Sequence, residues 1–136
     1  MKRIGVAGLI KSDRYDILLG RRGKDPNRGM YVMPGGGVND GESLEEAFRR
    51  EILEETGLEV ESTVGYSRWE LPHLIELPDR IILVAQASVK GDTTPKSGSD
   101  LYDVAWFDYF NLPHDISPVI APTLAMYGYR PGKRHE

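Results

Sequence analysis

A glycine-rich loop followed directly by one well-capped helix is the feature that most constrains the fold of this chain. The helix is predicted to begin after Ser43, because the serine hydroxyl can accept a hydrogen bond from the first turn and Glu46 completes a capping box. It is predicted to end near Thr56, because Gly57 easily adopts the left-handed conformation that closes a helix. Both ends of this helix are therefore indicated by local sequence.

This helix carries carboxylates on the side that also carries its apolar residues. The apolar stripe is formed by Leu44, Ala47, Phe48 and Ile52. Glu51, Glu54 and Glu55 project from much the same stripe, at the spacing i, i+3, i+4. Two carboxylates about 5–6 Å apart repel each other by roughly 3 kcal/mol at an effective dielectric constant near 20, and bound Mg²⁺ is the simplest compensation. The alternative is a solvated acidic face paired with Arg49 and Arg50.

The loop before the helix carries three consecutive glycines after Pro34. Proline is predicted to end a strand here, and Gly35, Gly36 and Gly37 leave the backbone without side chains. A ligand can then approach the backbone closely, so we expect Gly36 and Gly37 to bind substrate.

Loop and helix together give the pattern G-x5-E-x7-R-E-U-x-E-E-x-G-U over residues 36–58, where U is apolar. This pattern resembles the Nudix box. Its seven fixed residue types would match a chain of this length by chance on the order of once in a million. The resemblance implies a MutT-type member of the Nudix hydrolase superfamily. It also implies an α/β (α+β) fold, a Nudix-type α/β/α sandwich with a mixed β-sheet between helices.

The Nudix resemblance further implies a reaction, the hydrolysis of a nucleoside diphosphate linked to a group X by attack of metal-activated water at phosphorus. By this resemblance Glu51, Glu54 and Glu55 bind the metal together with the carbonyl of Gly35. Mg²⁺ is the expected cofactor, with Mn²⁺ as its substitute. Among the catalytic residues, Glu51 is the first choice for general base and Glu54 is the alternative. Arg50 is expected to orient a glutamate through a charge-assisted hydrogen bond.

Other acidic residues extend the predicted metal site. Relatives in the superfamily often add an acidic ligand, usually a glutamate, from the loop before the last strand. Asp100 is the expected ligand here and Asp103 the alternative, and the shorter aspartate also allows a water-bridged contact. Two roles are open for Glu42: binding a second metal or stabilising the helix N-terminus.

Basic and aromatic residues supply candidates for substrate binding. Four cations lie just upstream of the acidic helix: Arg21, Arg22, Lys24 and Arg28. We expect Arg22 and Arg28 to contact substrate phosphate. Four aromatic residues are candidates for stacking on a nucleobase, with core packing as the alternative for each: Tyr31, Tyr66, Trp69 and Phe107.

Two further resemblances bear on the substrate. The run of residues 18–22, Leu-Leu-Gly-Arg-Arg, followed by Gly29, is similar to nucleoside triphosphate-cleaving relatives and favours a (d)NTP cleaved to a nucleoside monophosphate and pyrophosphate. Pro72, fifteen residues after Gly57, is similar to a downstream proline of ADP-ribose-cleaving relatives. ADP-ribose or another NDP-sugar is therefore the alternative. A non-catalytic, nucleotide-sensing Nudix domain is the alternative from a different functional class.

Length and composition limit the remaining possibilities. A chain of 136 residues is predicted to be a single domain over 1–136, and the absence of cysteine excludes disulfides and thiolate metal sites. A net charge of -4 argues against a nucleic acid polymer as partner, and no stretch is apolar enough to suggest a membrane. We therefore expect a cytoplasmic protein with a small-molecule nucleotide substrate, and leave a homodimer open.

The rest of the chain reads mainly as strands. Residues 3–10 and 15–22 are predicted to form a hairpin, and 80–89 and 103–108 are predicted later strands. A second helix is predicted within 116–127, and a flexible tail over 130–136.

Overall fold

The computed structural model describes residues 2–67, 70, 72–90, 93–98 and 100–129. Within these residues the elements are β1 (Arg3–Ile10), β2 (Ile17–Arg22), β3 (Tyr31–Val32), β4 (Gly35–Gly37), α1 (Leu44–Thr56), β5 (Glu59–Val64), β6 (His73–Glu76), β7 (Arg80–Lys90), β8 (Leu101–Phe107) and α2 (Ile120–Met126). Trp69 and the predicted tail over 130–136 lie outside the described residues. Neither described helix is long and apolar enough to span a membrane.

The strands form two sheets. The larger sheet is mixed and has the order β4-β1-β7-β5, with β6 also pairing with β7. Its β1 and β7 are parallel, whereas the other pairs are antiparallel. The smaller sheet has the order β3-β2-β8 and is antiparallel throughout.

Alternate residues of β1 face two different core clusters, one on each side of the larger sheet. The cluster on the side of α1 contains Val6, Ile10, Phe48 and Ile52. The cluster on the side of α2 contains Ala7, Leu9, Ile120 and Leu124. The mixed sheet therefore lies between two helices, which is the sandwich predicted from the sequence.

The predicted hairpin between the first two strands is wrong. One edge of β1 pairs with β4 and the other with β7, whereas β2 pairs with β3 and β8. A single bridge between Lys11 and Ile17 is the contact that remains of the expected pairing. Both strands are apolar and buried, so each has neighbours on both of its edges, and these come from distant parts of the chain.

Both predicted ends of α1 are confirmed. The Ser43 hydroxyl accepts from the Glu46 N–H at 3.1 Å, and the Glu46 carboxylate accepts from the Ser43 N–H at 2.9 Å. At the other end Gly57 has φ 73° and donates its N–H to the Leu53 carbonyl. The capping signals thus place this helix correctly on local grounds.

The second helix is shorter than predicted. It begins at Ile120, because Ile116 and Ser117 bond to β3 and the next two residues form a turn. Ile116 forms a bridge with Tyr31, and the Ser117 N–H donates to the Tyr31 carbonyl at 2.8 Å. Pairing with β3 therefore removes this segment from the helix.

Candidate active site

Helix α1 points two of its three predicted metal-ligand carboxylates inward. Glu51 is 9% exposed and Glu55 is 5% exposed, on the same side as the fully buried Phe48 and Ile52. Glu54 is exposed to solvent. Buried carboxylates require compensation by hydrogen bonds or a cation. The partners of Glu51 and Glu55 therefore show whether these side chains are already satisfied or remain free to bind a cation.

Gly36 lies directly beneath the Glu51 carboxylate. It belongs to β4, opposite Val6 of β1, and a Cβ placed on it would come within 2.6 Å of Glu51 Oε1. Real Cβ atoms do not approach other atoms so closely, so only glycine leaves room for this carboxylate. The neighbouring Gly35 is equally restricted, because its Cβ would lie 2.7 Å from the Ala7 Cα. The bare backbone predicted from the sequence therefore accommodates a buried carboxylate of the protein itself.

Arg50 connects the loop to the acidic face of the helix. Its Nε and Nη2 donate to the two oxygens of Glu42 at 2.7 and 2.9 Å. Its Nη1 donates to Glu51 Oε1 at 2.7 Å and to Glu54 Oε2 at 3.3 Å, and its Nη2 also donates to the Gly37 carbonyl at 2.9 Å. One guanidinium thus offsets the charge of three carboxylates and fixes the direction of Glu51.

Glu42 is fully engaged by this arginine and by the backbone. Hydrogen bonds from Arg50, and a further one from the Asn39 N–H at 2.8 Å, lower the pKa of the Glu42 carboxyl to about 2. Glu42 is therefore ionised across the physiological range and anchors Arg50 in front of the helix.

Glu55 has a different environment, because none of the ion pairs among the described residues involves it. Burial raises the pKa of the Glu55 carboxyl, and the charges of Asp100, Glu51 and Glu54 raise it further. A hydrogen bond from the Asp100 N–H opposes this shift. Its Oε2 is buried and has no hydrogen-bond partner within the described part of the chain. Glu55 thus presents an oxygen that no described residue satisfies, close to three other carboxyl groups.

A comparison with known protein families assigns the domain that carries this glycine strand and acidic helix. The family model of the NUDIX domain matches residues 1–127. The chain belongs to the Nudix family.

Relatives of this Nudix domain include the ADP-ribose pyrophosphatase of Methanocaldococcus jannaschii, 38% identical over 118 residues that cover 81% of this chain and 64% of that protein. The NAD-capped RNA hydrolase NudC of Vibrio atlanticus is 34% identical over 93 residues, 67% of this chain and 32% of that protein. The chain thus spans less than two thirds of either relative. The MutT NUDIX hydrolase structure from Burkholderia pseudomallei superposes with a TM-score of 0.74 at 24% identity, covering 92% of this chain and 97% of that one, which shows a shared fold.

The donor set of this Nudix domain suits a hard divalent cation. The candidate ligands all offer oxygen, and the unpartnered Glu55 Oε2 is the kind of buried atom that a cation would satisfy. Among the described residues, no three Asp, Glu or His side chains are already grouped closely enough to hold an ion. Arg50 accounts for part of this, because it engages one oxygen each of Glu51 and Glu54. A cation would therefore be held by Glu55 and by the oxygens that Arg50 leaves free.

The loop before β8, where Asp100 is the expected additional ligand, packs on the C-terminal end of α1. The Lys96 N–H donates to the Thr56 carbonyl at 2.7 Å, which docks the loop on the C-terminal end of α1. A Cβ on Gly98 would lie 2.6 Å from the Glu55 Cα, so glycine permits this close approach. The sequence predicted an acidic ligand from this loop, but its one signal for the close contact with α1 was the glycine itself.

The two aspartates predicted as extra ligands are placed differently. Asp100 approaches Glu55 through its backbone N–H, while its side chain lies 3.3 Å from the Lys24 ammonium group. Asp103 forms an ion pair with Arg21 at 3.5 Å. Of the two, Asp100 is therefore the one that lies beside the acidic cluster.

The predicted phosphate-binding arginines both contact the loop between β2 and β3. Arg22 donates from Nε to the Pro26 carbonyl at 2.7 Å. Arg28 donates from Nη1 to the Gly23 carbonyl at 2.9 Å and pairs with Asp25 at 3.7 Å. Arg28 is thus bound within its own loop, whereas Arg22 lies at the end of a strand beside Asp100.

The predicted stacking residues have core contacts. The Tyr66 hydroxyl donates to the Leu83 carbonyl at 2.6 Å, and its ring packs edge-on against Phe48 at 5.3 Å. Tyr31 packs against Phe107 with ring centroids 4.9 Å apart. Tyr66 therefore has a structural role, and no stacking surface is needed to explain its position.

Replacing Gly36 by alanine is expected to lower kcat at least about 100-fold, because the new methyl group displaces the Glu51 carboxylate and misplacements of about 1 Å have effects of this size. Gly37→Ala is the matched variant, since its Cβ meets nothing within 4 Å. We expect Gly37→Ala to keep the wild-type thermal midpoint, because its methyl group fits without displacing other atoms. Since Gly37 is expected to bind substrate, any effect of this variant should appear in KM. Steady-state kinetics with thermal denaturation of both variants measures this. Equal kcat values for Gly36→Ala and wild type would contradict the proposed packing.

Replacing Glu55 by glutamine is expected to stabilise the metal-free protein at neutral pH. The raised pKa of Glu55 means that the native state binds more protons than the unfolded state between the two pKa values. The contribution to stability is therefore present at low pH and is lost as pH rises through the folded-state pKa. Chemical denaturation in EDTA across pH 4–8 should show this loss in wild type and a smaller one in Glu55→Gln. Parallel pH curves would contradict the assignment.

Proposed function

We propose that this chain is a metal-dependent pyrophosphohydrolase that cleaves the diphosphate linkage of a nucleoside diphosphate derivative, with ADP-ribose as the first candidate substrate. The observation that carries the proposal is the buried Glu55 oxygen that no described residue satisfies. It lies beside Glu51, whose carboxylate lies over the bare backbone of Gly36. A stability role does not explain this arrangement, because like charges are brought together and one oxygen is left unsatisfied.

The side chains of the site have separate tasks in this proposal. Glu51, Glu54 and Glu55, with the carbonyl of Gly35, hold Mg²⁺, for which Mn²⁺ substitutes. When bound, the cation supplies Lewis acidity towards the phosphoryl oxygens and lowers the pKa of water. Asp100 adds a further carboxylate beside Glu55.

Glu51 is the proposed general base that takes a proton from the attacking water. Its Oε1 accepts from Arg50 at 2.7 Å, which leaves Oε2 for the proton. Arg50 is a positioning residue here, since its remaining donors are fixed by Glu42 and the Gly37 carbonyl.

Support for ADP-ribose comes from the archaeal relative, which bears the name ADP-ribose pyrophosphatase, and from Pro72 downstream of the box. A (d)NTP is the second candidate, favoured by the Leu-Leu-Gly-Arg-Arg run that forms most of β2. NAD-capped RNA is a third candidate substrate, because the Vibrio relative is named as a hydrolase of it.

The experiment is a substrate panel assayed with Mg²⁺ in water enriched in ¹⁸O. The panel contains ADP-ribose, NDP-sugars, dNTPs and NTPs, dinucleoside polyphosphates and NAD-capped RNA. We expect the highest kcat/KM for ADP-ribose, AMP and ribose 5-phosphate as products, and the label in one phosphoryl group.

Other outcomes of the panel are equally informative. Preferential turnover of a (d)NTP to the monophosphate would replace ADP-ribose with the second candidate. Label at a sugar carbon would overturn attack at phosphorus. Tight nucleotide binding without turnover of any compound would overturn the enzymatic proposal in favour of a nucleotide sensor.

A further inference from the structure

Residues 93–98 of the loop before β8, here called the strap, pack on the C-terminal end of α1 without forming a helix or strand of their own. Lys96 holds the middle of the strap, because its N–H donates to the Thr56 carbonyl at 2.7 Å. Carbonyls in the last turn of a helix have no donor within the helix, so this bond satisfies one of them. The strap is therefore hydrogen-bonded to the end of α1 as well as packed on it.

Gly98 brings the strap into contact with the backbone that carries the Glu55 carboxylate. A Cβ placed on Gly98 would overlap the Glu54 carbonyl oxygen and would lie 2.6 Å from the Glu55 Cα. Both atoms belong to the backbone of α1, so they cannot move aside unless the helix moves with them. A side chain at residue 98 would therefore either lift the strap from α1 or displace Glu55.

Trp106 of β8 holds the other end of the strap. Its indole Nε1–H donates to the Thr93 carbonyl at 2.8 Å. The Trp106 backbone pairs with Leu18 of β2, and its side chain packs against the core cluster on the α1 side of the larger sheet. Trp106 also lies about 16 Å along the strand from Leu101, the residue that follows Asp100. A side chain anchored in the core thus fixes the strap at a point remote from the carboxylates.

From these contacts we infer that the strap fixes the position of Glu55 for cation binding, and that Gly98 and Trp106 are positioning residues of the metal site. The inference rests on the proposed function for the presence of the cation. No described residue satisfies the Glu55 Oε2, so the position of this carboxylate depends on the backbone that carries it. A ligand whose backbone is held in advance loses less conformational entropy when a cation binds.

Cation binding and docking of the strap should favour each other equally, because the coupling free energy between two sites is reciprocal. The N–H groups of Lys96 and Gly98 report on this coupling, since they donate to the Thr56 and Leu101 carbonyls at 2.7 and 2.9 Å. Opening of the strap would break these hydrogen bonds and expose both groups to exchange with solvent. We therefore expect Mg²⁺ to slow hydrogen exchange of the strap in the wild-type protein.

The test measures Mn²⁺ affinity by electron paramagnetic resonance, without any substrate. Trp106→Phe removes the indole donor but keeps an aromatic ring, so we expect it to weaken Mn²⁺ binding about 3–10-fold, the effect of one hydrogen bond. Gly98→Ala should weaken binding at least about 10-fold, because its methyl group meets the backbone of α1. Ser97→Ala is the matched control, since it also alters one side chain of the strap but at an exposed position, and it should keep wild-type affinity.

Hydrogen exchange measured by mass spectrometry separates positioning from a general effect on the fold. In metal-free Trp106→Phe we expect faster exchange in the strap, with the exchange of α2 unchanged, because α2 packs on the other side of the larger sheet. Faster exchange throughout the domain, together with wild-type Mn²⁺ affinity, would show that Trp106 has only a structural role.

The outcomes also separate this inference from the proposed function. Wild-type Mn²⁺ affinity in a folded Gly98→Ala protein would overturn the inference, even if ADP-ribose is hydrolysed. Absence of Mn²⁺ binding by wild type would overturn it as well. Weakened Mn²⁺ binding in both variants of a protein that hydrolyses no compound of the panel would support the strap and reject the proposed function. If neither variant folds, wild type decides, and equal exchange of its strap with and without Mg²⁺ would overturn the inference.

Discussion

Glu51→Gln is expected to lower kcat about 10²–10⁴-fold, the range associated with loss of a general base. The amide is nearly isosteric with the carboxylate, so it still fits over Gly36 and still accepts from Arg50 through its oxygen. It cannot take up a proton, so the loss should appear in kcat at every substrate concentration. Steady-state kinetics on the best substrate of the panel measures this effect.

Glu45→Gln is the matched control for Glu51→Gln. Glu45 lies on the same helix but is exposed, where it pairs with Arg49 at 3.5 Å. Exposed pairs of this kind contribute about 0.2–1 kcal/mol, so the control should keep wild-type kcat and nearly wild-type stability. A Glu51→Gln protein that folds normally and retains more than a tenth of wild-type kcat would show that Glu51 is not the base. Glu54 would then be the next candidate.

Removal of divalent metal is expected to abolish turnover, and Mg²⁺ or Mn²⁺ should restore it. The reason is the unsatisfied Glu55 oxygen and its like-charged neighbours, which a cation would neutralise. Binding should also stabilise the fold. At a metal concentration 100 times Kd, the gain is about 2.7 kcal/mol, which corresponds to a rise in thermal midpoint on the order of 10 °C for a domain of this size.

Calorimetry and thermal denaturation with and without EDTA measure both effects of the metal. The control is Glu55→Gln, which should lose most of the metal-dependent rise in midpoint because a neutral amide is a poor replacement for a buried carboxylate ligand. Full turnover in excess EDTA after thorough removal of metal would contradict the assigned site. An equal rise in midpoint for wild type and Glu55→Gln would exclude Glu55 as a ligand.

The two buried carboxylates illustrate how one helix face serves both packing and chemistry. Phe48 and Ile52 attach α1 to the sheet, and Glu51 and Glu55 extend from the same side towards the glycine strand and the loop before β8. A change that weakens the packing of α1 would therefore also displace the carboxylates. A loss of activity in a variant of α1 therefore has to be compared with its stability before it is assigned to the chemistry.

Features that depend on residues close together in the chain are predictable from the amino-acid sequence. The limits of α1 follow from Ser43, Glu46 and Gly57, whose capping interactions span at most a few residues. The Nudix box follows from fixed spacing over residues 36–58, and the family comparison agrees with it. Interactions of this kind are set by helix geometry and local backbone preference, so their energies can be assigned before the rest of the fold is known.

Which distant segments of the chain meet depends on the packing of the whole domain. The packing of the domain places β1 and β2 in different sheets and docks Gly98 against the end of α1. Strand pairing uses backbone hydrogen bonds that nearly every residue can form, so the apolar pattern of β1 marks it as a strand but does not select its neighbours. The partners are selected by the packing of the whole domain. The buried Oε2 of Glu55, which no described residue satisfies, therefore became visible only in three dimensions.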